Sequence, residues 1–209
     1  VGGSSESYFW LNNTGSLLNQ TICGLFTGIP NYIMVPIAAK MVKKWGARAT
    51  SIIAGLFGFF AYMTLFFVGF HPFGQTFKDH YIFNLIWVIF GLTICGLPNK
   101  ILNVSGQIVT AEALDYMEWK HGLRNEALVT TVQGYFGKLA TSVTGWLSGM
   151  VLTWINYVPL TDSLGNAVPQ TDPTMLNGIW AVFCILPALA RGLYGVSFII
   201  YPIHGDLQQ

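Results

Sequence analysis

Long apolar runs separated by short polar connections dominate the hydrophobic and polar pattern of this 209-residue chain. Crossing the hydrocarbon core of a bilayer takes about 20 mostly apolar residues in a helix. Five runs reach that length, at 16–39, 49–70, 81–107, 127–154 and 174–201. Runs this long and continuous differ from the alternating strands of about ten residues that build membrane barrels. The pattern therefore predicts an all-α membrane protein with about five transmembrane helices.

The composition supports a membrane location. Charged residues make up 9% of the chain and hydrophobic residues 53%, whereas charged residues make up about 25% of an ordinary soluble domain. A formal net charge of +1 provides no polybasic surface for nucleic acid. Cys23, Cys95 and Cys184 each lie in an apolar run without a CxxC pattern, which favours buried, inert thiols over a metal or disulfide role. We therefore expect a multi-pass membrane protein that binds neither nucleic acid nor metal.

Lysines and arginines indicate which connections face the cytoplasm. The first connection carries four of them and the third carries two, whereas the opposite side carries only Lys78. The six residues are Lys40, Lys43, Lys44, Arg48, Lys120 and Arg124. Because cytoplasmic loops carry the excess of positive charge, we expect these two connections and the C-terminus to face the cytoplasm, in the cell (cytoplasmic) membrane.

This orientation divides the chain into two parts. Residues 1–15 are expected to form an external stub, and residues 16–209 the transmembrane bundle. An odd number of spans with an external start is unusual for a complete bundle. We therefore expect further helices of the same protein to precede Val1.

A lysine near the middle of the fourth span is the sharpest chemical signal. Lys138 lies about 11 residues from the nearer end of its span, roughly 16 Å, so its ammonium cannot reach the interface. At the centre of a span, a lysine costs about 2.5–3.5 kcal/mol. Small and polar residues share its helix face at Thr130, Gly134, Thr141, Gly145 and Ser148. The stripe favours a water-filled cavity over a structural interhelical salt bridge, and it predicts that Lys138 points toward the helices missing from this chain.

Amides cluster in the third span. Asn99, Asn103 and Gln107 are spaced four apart on one helix face, and Lys100 adjoins them. Amides and an ammonium on one wall suit a sugar site, because hydroxyl groups both donate and accept hydrogen bonds. The alternative is that the amides bond to neighbouring helices and that Lys100 reaches the cytoplasmic interface. Arg191, in the last span, is expected to have a structural role.

The third connection is unusually rich in acids. Glu112, Asp115 and Glu118 are three residues apart, so a helical ending presents them on one side. Lys120 and Arg124 follow within reach. This pattern favours a charge lock that forms in one conformation and breaks in another, and the alternative is a solvated loop.

Three stretches resemble one family. One stretch resembles the signature of loop 10–11 and helix 11 in the glycoside–pentoside–hexuronide:cation symporters. Its sequence is DYMEWKHGLRNEALVTTVQGYFGKLATSVTGWLSGMVL. Their basic turn between helices 8 and 9 resembles MVKKWGAR, and their exit from helix 12 resembles YPIHGD. This family is melibiose permease-like and belongs to the major facilitator superfamily. The resemblance runs from about Ser16 onward and implies that the five spans correspond to helices 8–12 of a twelve-helix fold.

The resemblance also implies roles for individual residues. Lys138 matches an intramembrane lysine that lies between the sugar and cation sites, and Gln133 matches a sugar-site glutamine. The cytoplasmic gate charges of the family are matched by Glu112, Asp115, Glu118 and Arg124. The candidate substrate-binding residues are Lys138, Gln133, Asn103, Asn99, Lys100 and Thr141.

The chain departs from the family pattern at two positions. Gly134 replaces a threonine, and Asn103 replaces a tryptophan that stacks on the sugar. The substrate is therefore expected to differ, and Asn103 together with Lys100 favours an acidic sugar.

The resemblance implies a secondary active transporter and not an enzyme. The expected activity is symport of a sugar, glycoside or hexuronide with Na⁺ or H⁺, and no cofactor is expected. The coupling ion is expected to bind mainly in the missing N-terminal helices. Two alternatives are a major facilitator relative that carries a lipid or another non-sugar solute, and a membrane subunit that transports nothing.

Overall fold

Five helices and a short hairpin make up the part of the chain that the computed structural model describes, namely residues 3–69, 80–122, 125–161, 167–169 and 171–199. The helices are α1 (Gly3–Thr14), α2 (Leu18–Gly69), α3 (Tyr81–His121), α4 (Glu126–Trp154) and α5 (Pro173–Ser197). Between α4 and α5, strand β1 (Leu160–Thr161) pairs antiparallel with β2 (Ala167–Val168).

Helix α2 is two helices joined at Gly46. This residue has φ 80° and ψ 159°, a conformation that is essentially restricted to glycine. Cys23 and Leu65 belong to one buried cluster, although a straight helix would place them roughly 60 Å apart. The chain therefore folds back at Gly46, and residues 18–45 and 47–69 are called the first and second halves of α2.

Three helices are long and apolar enough to cross a membrane, by length and composition, among the described residues. They are Leu18–Val68, Tyr81–His121 and Pro173–Ser197. The first contains two of the predicted spans, on either side of Gly46. The 29-residue helix α4 is not among them, because its stripe of Thr, Ser, Gly and Lys lowers its hydropathy. The predicted all-α membrane fold is confirmed.

Helix α3 continues well beyond the predicted end of its span at residue 107. Its 41 residues extend for roughly 60 Å, about twice the thickness of the hydrocarbon core. The helix ends at Gly122, whose left-handed conformation (φ 66°) lets its N–H bond to the carbonyl of Glu118. Glu112, Asp115 and Glu118 therefore lie on a helix, as their spacing predicts.

Helix α1 occupies residues for which the sequence predicted only a stub. Phe9 and Trp10 are fully buried, and the ring of Phe9 stacks on Phe183 of α5 with centroids 4.5 Å apart. Asn13 donates from Nδ2 to the carbonyl of Leu176 over 3.3 Å. These contacts anchor α1 to the start of α5. The apolar run at the start of the chain is too short to predict such an element.

The second half of α2 packs directly on α5 through glycine. A Cβ atom added to Gly55 would lie 2.5 Å from the Cα of Gly195. Small residues allow membrane helices to approach this closely where lipid provides no hydrophobic drive for association.

The basic turn also holds the end of α5. Arg48 donates from Nε to the carbonyl of Phe198 over 3.2 Å and from Nη2 to that of Ile199 over 2.5 Å. The last carbonyls of a helix have no partner within the helix, and a cation near them is favourable. Arg48 therefore acts as a C-terminal cap that links the turn to α5.

Burial of the three cysteines agrees with the sequence analysis. Cys23, Cys95 and Cys184 are free thiols, and each is buried. Cys95 and Cys184 belong to the main apolar cluster, together with Leu65 and Phe183.

Candidate functional site

Lys138 lies on the most exposed helix of the described residues. Only Ser148 is buried on α4, and Lys138 itself is exposed. The alternative of a structural salt bridge requires Lys138 to be buried in an ion pair with another helix of this chain. Among the described helices, Lys138 is not buried in such a pair.

Two contacts of α4 define which way its faces point. Gln133 donates from Nε2 to the hydroxyl of Thr110 on α3 over 2.9 Å. Ser148 shares a small pocket with Tyr8 of α1 and Val182 of α5. At about 100° per residue, Lys138 points roughly 140° away from the direction of Gln133. Lys138 thus lies on a side of α4 turned away from α3, and the expectation that it faces further helices of the protein stays a prediction.

The small residues around Lys138 meet open space. A Cβ atom added at Gly134, Gly137, Gly145 or Gly149 would have no neighbour within 4 Å. Thr141 is exposed, and its hydroxyl donates to the carbonyl of Gly137 over 2.9 Å. The hydroxyl oxygen keeps acceptor capacity for a ligand. The small, polar face of α4 is thus uncovered around Lys138 by the rest of the described chain, whereas Ser148 near its end is buried.

Asn99 joins two helices. Its Oδ1 accepts a hydrogen bond from Nη1 of Arg191 on α5 over 2.8 Å. A guanidinium has only donors, so this contact fixes the orientation of the amide and leaves its NH₂ group available. The bond is of the interhelical kind that the alternative interpretation of the third span expects. A binding role for Asn99 remains a prediction.

The other polar residues of α3 do not share the environment of Asn99. Lys100 places Nζ 5.0 Å from the centre of the Tyr32 ring on the first half of α2, which is a cation–π distance. Asn103 and Gln107 are exposed. Asn99 thus contacts α5 and Lys100 contacts the first half of α2, and the single wall of amides stays a prediction.

Asn31, on the first half of α2, lies close to Gly96 of α3. A Cβ atom added to Gly96 would fall within 2.9 Å of three atoms of the Asn31 amide group, so the two helices meet closely there. Its Oδ1 is buried and has no hydrogen-bond partner among the residues that the structure describes. Burying a polar atom without a partner is costly, and such atoms are unusual in the interior of a protein.

The orientation of Asn99 makes a testable prediction. We expect Asn99→Asp to keep or raise thermal stability, because a carboxylate strengthens the bond to Arg191. The same variant should weaken substrate binding by the complete protein, because it removes the NH₂ donor. Asn99→Leu should lower the free energy of unfolding by about 1–3 kcal/mol, because it removes the oxygen that accepts the hydrogen bond from the Arg191 guanidinium. Unchanged substrate affinity in Asn99→Asp, measured by equilibrium binding, would show that Asn99 only joins helices.

Three of the four predicted gate residues lie at the end of α3. Glu112 lines an open cavity that Lys43 and Lys44 of the basic turn also line. Asp115 and Glu118 are exposed. Arg124 lies outside the described residues. The acids are therefore on one helix end, with the basic turn close to the first of them.

Three contact residues were not singled out by the sequence: Tyr8, Tyr32 and Thr110. Each is an ordinary residue of a helix whose significance comes from a partner on another helix. No spacing within the sequence indicates these pairs. In the part of the chain described, no group of three or more potential metal ligands occurs.

Known proteins resemble the chain along nearly its whole length. The family described as MFS/sugar transport protein matches residues 3–205. An uncharacterized symporter of Bacillus subtilis (strain 168) is 30% identical over 186 residues, which are 89% of this chain and 36% of that relative. The isoprimeverose transporter of Lactiplantibacillus pentosus is 28% identical over 102 residues, or 48% of this chain and 20% of the relative. A provisionally named sulfoquinovose importer of Escherichia coli (strain K12) is 35% identical over 89 residues, or 40% and 18% respectively.

The family assignment follows from the extent of these matches. The chain spans about a third of the length of the Bacillus relative. No solved structure matches it at a significant level. The relatives are transporters and not enzymes. Because the match extends over residues 3–205, the chain belongs to the MFS/sugar transport protein family of the major facilitator superfamily.

Proposed function

We propose that this chain is the C-terminal part of a symporter that moves a sugar, glycoside or hexuronide together with Na⁺ or H⁺. The observation that carries the proposal is Lys138, exposed on an uncovered, small and polar face of α4. A lysine placed in lipid at this depth would cost about 2.5–3.5 kcal/mol. A water-filled cavity shared with the missing helices avoids that cost.

Lys138 has the chemistry that coupling requires. Its ammonium attracts carboxylates, and the resemblance places cation-binding carboxylates in the missing N-terminal helices. A bound Na⁺ or H⁺ neutralises the same carboxylates and so competes with the lysine for them. Ion binding then changes the partner of Lys138, next to the sugar site that Gln133 and Thr141 would line. In this mechanism, binding of the ion and of the sugar are linked through one side chain.

The gate would operate by charge at the cytoplasmic mouth. Asp115 and Glu118 are exposed on α3, where a single ion pair contributes about 0–1 kcal/mol. Several pairs that form together when the mouth closes shift a two-state equilibrium by more. Arg124 and residues of the missing helices would supply the partners, and the C-terminus would lie in the cytoplasm.

The substrate is proposed to be an acidic sugar. Lys100 supplies a cation beside Asn103, which stands where the family pattern has an aromatic residue that stacks on the sugar. One relative is named as a sulfoquinovose importer, whose substrate is a sulfonated sugar. A second candidate is a small sulfonate without a sugar ring, because a relative 31% identical over 80 residues is provisionally named as an exporter of 2,3-dihydroxypropane-1-sulfonate.

Transport by the complete protein in vesicles tests both candidates. We expect a gradient of Na⁺ or H⁺ to drive accumulation of glucuronate or a sulfonated hexose, and an ionophore that collapses the gradient to abolish it. A neutral glycoside of the same size serves as the comparison for charge. Uptake that equilibrates without responding to either gradient would contradict coupling. Uptake of the three-carbon sulfonate without any sugar would favour the second candidate.

A further inference from the structure

An open cavity lies at the basic turn, between the turn and α3. Its volume is about 630 Å³, and residues of the turn and of α3 line it. Val42 and Ile108 provide apolar walls, Lys43 and Lys44 provide cations, and Glu112 lies on the wall formed by α3. The cavity thus combines apolar surface with an excess of positive charge.

The cavity lies at the end of the helical hairpin that the two halves of α2 form. The two halves of α2 each contain more than 20 residues, enough to cross the hydrocarbon core. The turn at Gly46 therefore lies where the membrane meets water. Trp45 is 49% exposed there, and tryptophan is enriched at this depth. Lys44 places Nζ 5.9 Å from the centre of the Trp45 ring.

The cations of the turn differ in what they contact. Arg48 is engaged with the carbonyls of Phe198 and Ile199 at the end of α5. Lys40 is exposed but does not line the cavity. Lys43 and Lys44 are exposed and line it. The two lysines of the cavity are therefore the ones placed to contact a ligand within it.

We propose that this cavity binds the headgroup of an anionic phospholipid. Its phosphate contacts Lys43 and Lys44, and the glycerol and first methylene groups lie against Val42 and Ile108. Lysines next to a membrane span attract anionic lipids, and the apolar walls distinguish a lipid from a free phosphate ion. The carboxylate of Glu112 limits affinity by repelling the phosphate. The inference does not rest on the proposed transport, because the ligand belongs to the membrane, although Glu112 is also one of the predicted gate residues.

Native mass spectrometry of the complete protein in detergent tests the proposal. Phosphatidylglycerol and phosphatidylcholine with the same acyl chains are added in increasing amounts. We expect tighter binding of phosphatidylglycerol, and Lys43→Gln and Lys44→Gln should each weaken it by about fivefold. Glu112→Gln should strengthen it. A loss of folding would weaken lipid binding in every variant, whereas the proposal predicts opposite effects of the lysine and glutamate variants. The melting temperature of each variant checks that it is folded.

Lys40→Gln is the matched control. It removes an exposed cation from the same turn without changing the lining of the cavity, so we expect it to leave phosphatidylglycerol binding nearly unchanged. An effect equal to that of Lys43→Gln would overturn the proposal in favour of diffuse attraction by the whole turn. Equal binding of the two lipids would overturn it as well. Displacement of phosphatidylglycerol by inorganic phosphate alone would assign the cavity to a soluble anion instead.

Discussion

Replacing Lys138 with alanine in the complete protein should abolish ion-driven accumulation while leaving membrane insertion intact. Truncating one partner of a desolvated charge pair costs about 2–5 kcal/mol, which corresponds to a loss of more than about tenfold. Because Lys138 is exposed on α4 and forms no buried contact with the described helices, its removal should not unfold this part of the bundle. Accumulation under an imposed gradient and the melting temperature measure the two effects separately.

Two comparisons sharpen this test. Exchange of labelled for unlabelled substrate needs no gradient, so it should persist better than accumulation if Lys138 serves coupling. Lys40→Ala removes an exposed lysine from the first half of α2 and should leave accumulation largely intact. Normal accumulation by Lys138→Ala would remove the role proposed here. Equal loss of exchange and accumulation would place Lys138 in substrate binding and not in coupling.

Replacing Gly55 with alanine should separate the second half of α2 from α5 and destabilise the protein. The new Cβ would lie 2.5 Å from the Cα of Gly195 and 3.0 Å from the carbonyl oxygen of Arg191, both backbone atoms that cannot rotate away. Overpacking of this kind costs about 1–3 kcal/mol and occasionally more. We expect a lower melting temperature and a smaller yield of monodisperse protein in size-exclusion chromatography.

Gly106→Ala is the control for this prediction. Its Cβ would lie 3.4 Å from the hydroxyl of Tyr194, at the end of a side chain that can move, so the melting temperature should change little. The double variant of Gly55 and Gly195 to alanine should cost less than the two single variants together, because residues in contact are not additive. Full additivity would indicate that the two glycines do not meet.

Some features of the fold depend only on local sequence and were predictable from it. The length and hydropathy of each run identify a membrane helix, because the thickness of a bilayer sets the required number of apolar residues. The spacing of Glu112, Asp115 and Glu118 likewise placed them on one side of a helical ending. The small and polar stripe around Lys138 follows from helical periodicity alone. The structure agrees with the helical placement of all four residues.

Other features could not be predicted, because they depend on residues far apart in the chain. From the sequence, Asn99 was grouped with Asn103 in one wall of amides. In the structure, the Oδ1 atom of Asn99 accepts a hydrogen bond from Arg191, which lies 92 positions later in the chain. Arg48 counted only as a positive charge of the turn, although it caps α5 some 150 residues away. Neither pairing has a signature within its own segment.

The sequence by itself determined the membrane character, the helical state of the apolar runs, and the chemical type of the face that carries Lys138. The tertiary structure decided that residues 3–14 form a helix, that Gly55 meets Gly195, and that α4 turns Lys138 away from α3. The reason is physical. Helix formation and burial in lipid depend on neighbours a few positions away, whereas the direction of a side chain depends on which helices pack together.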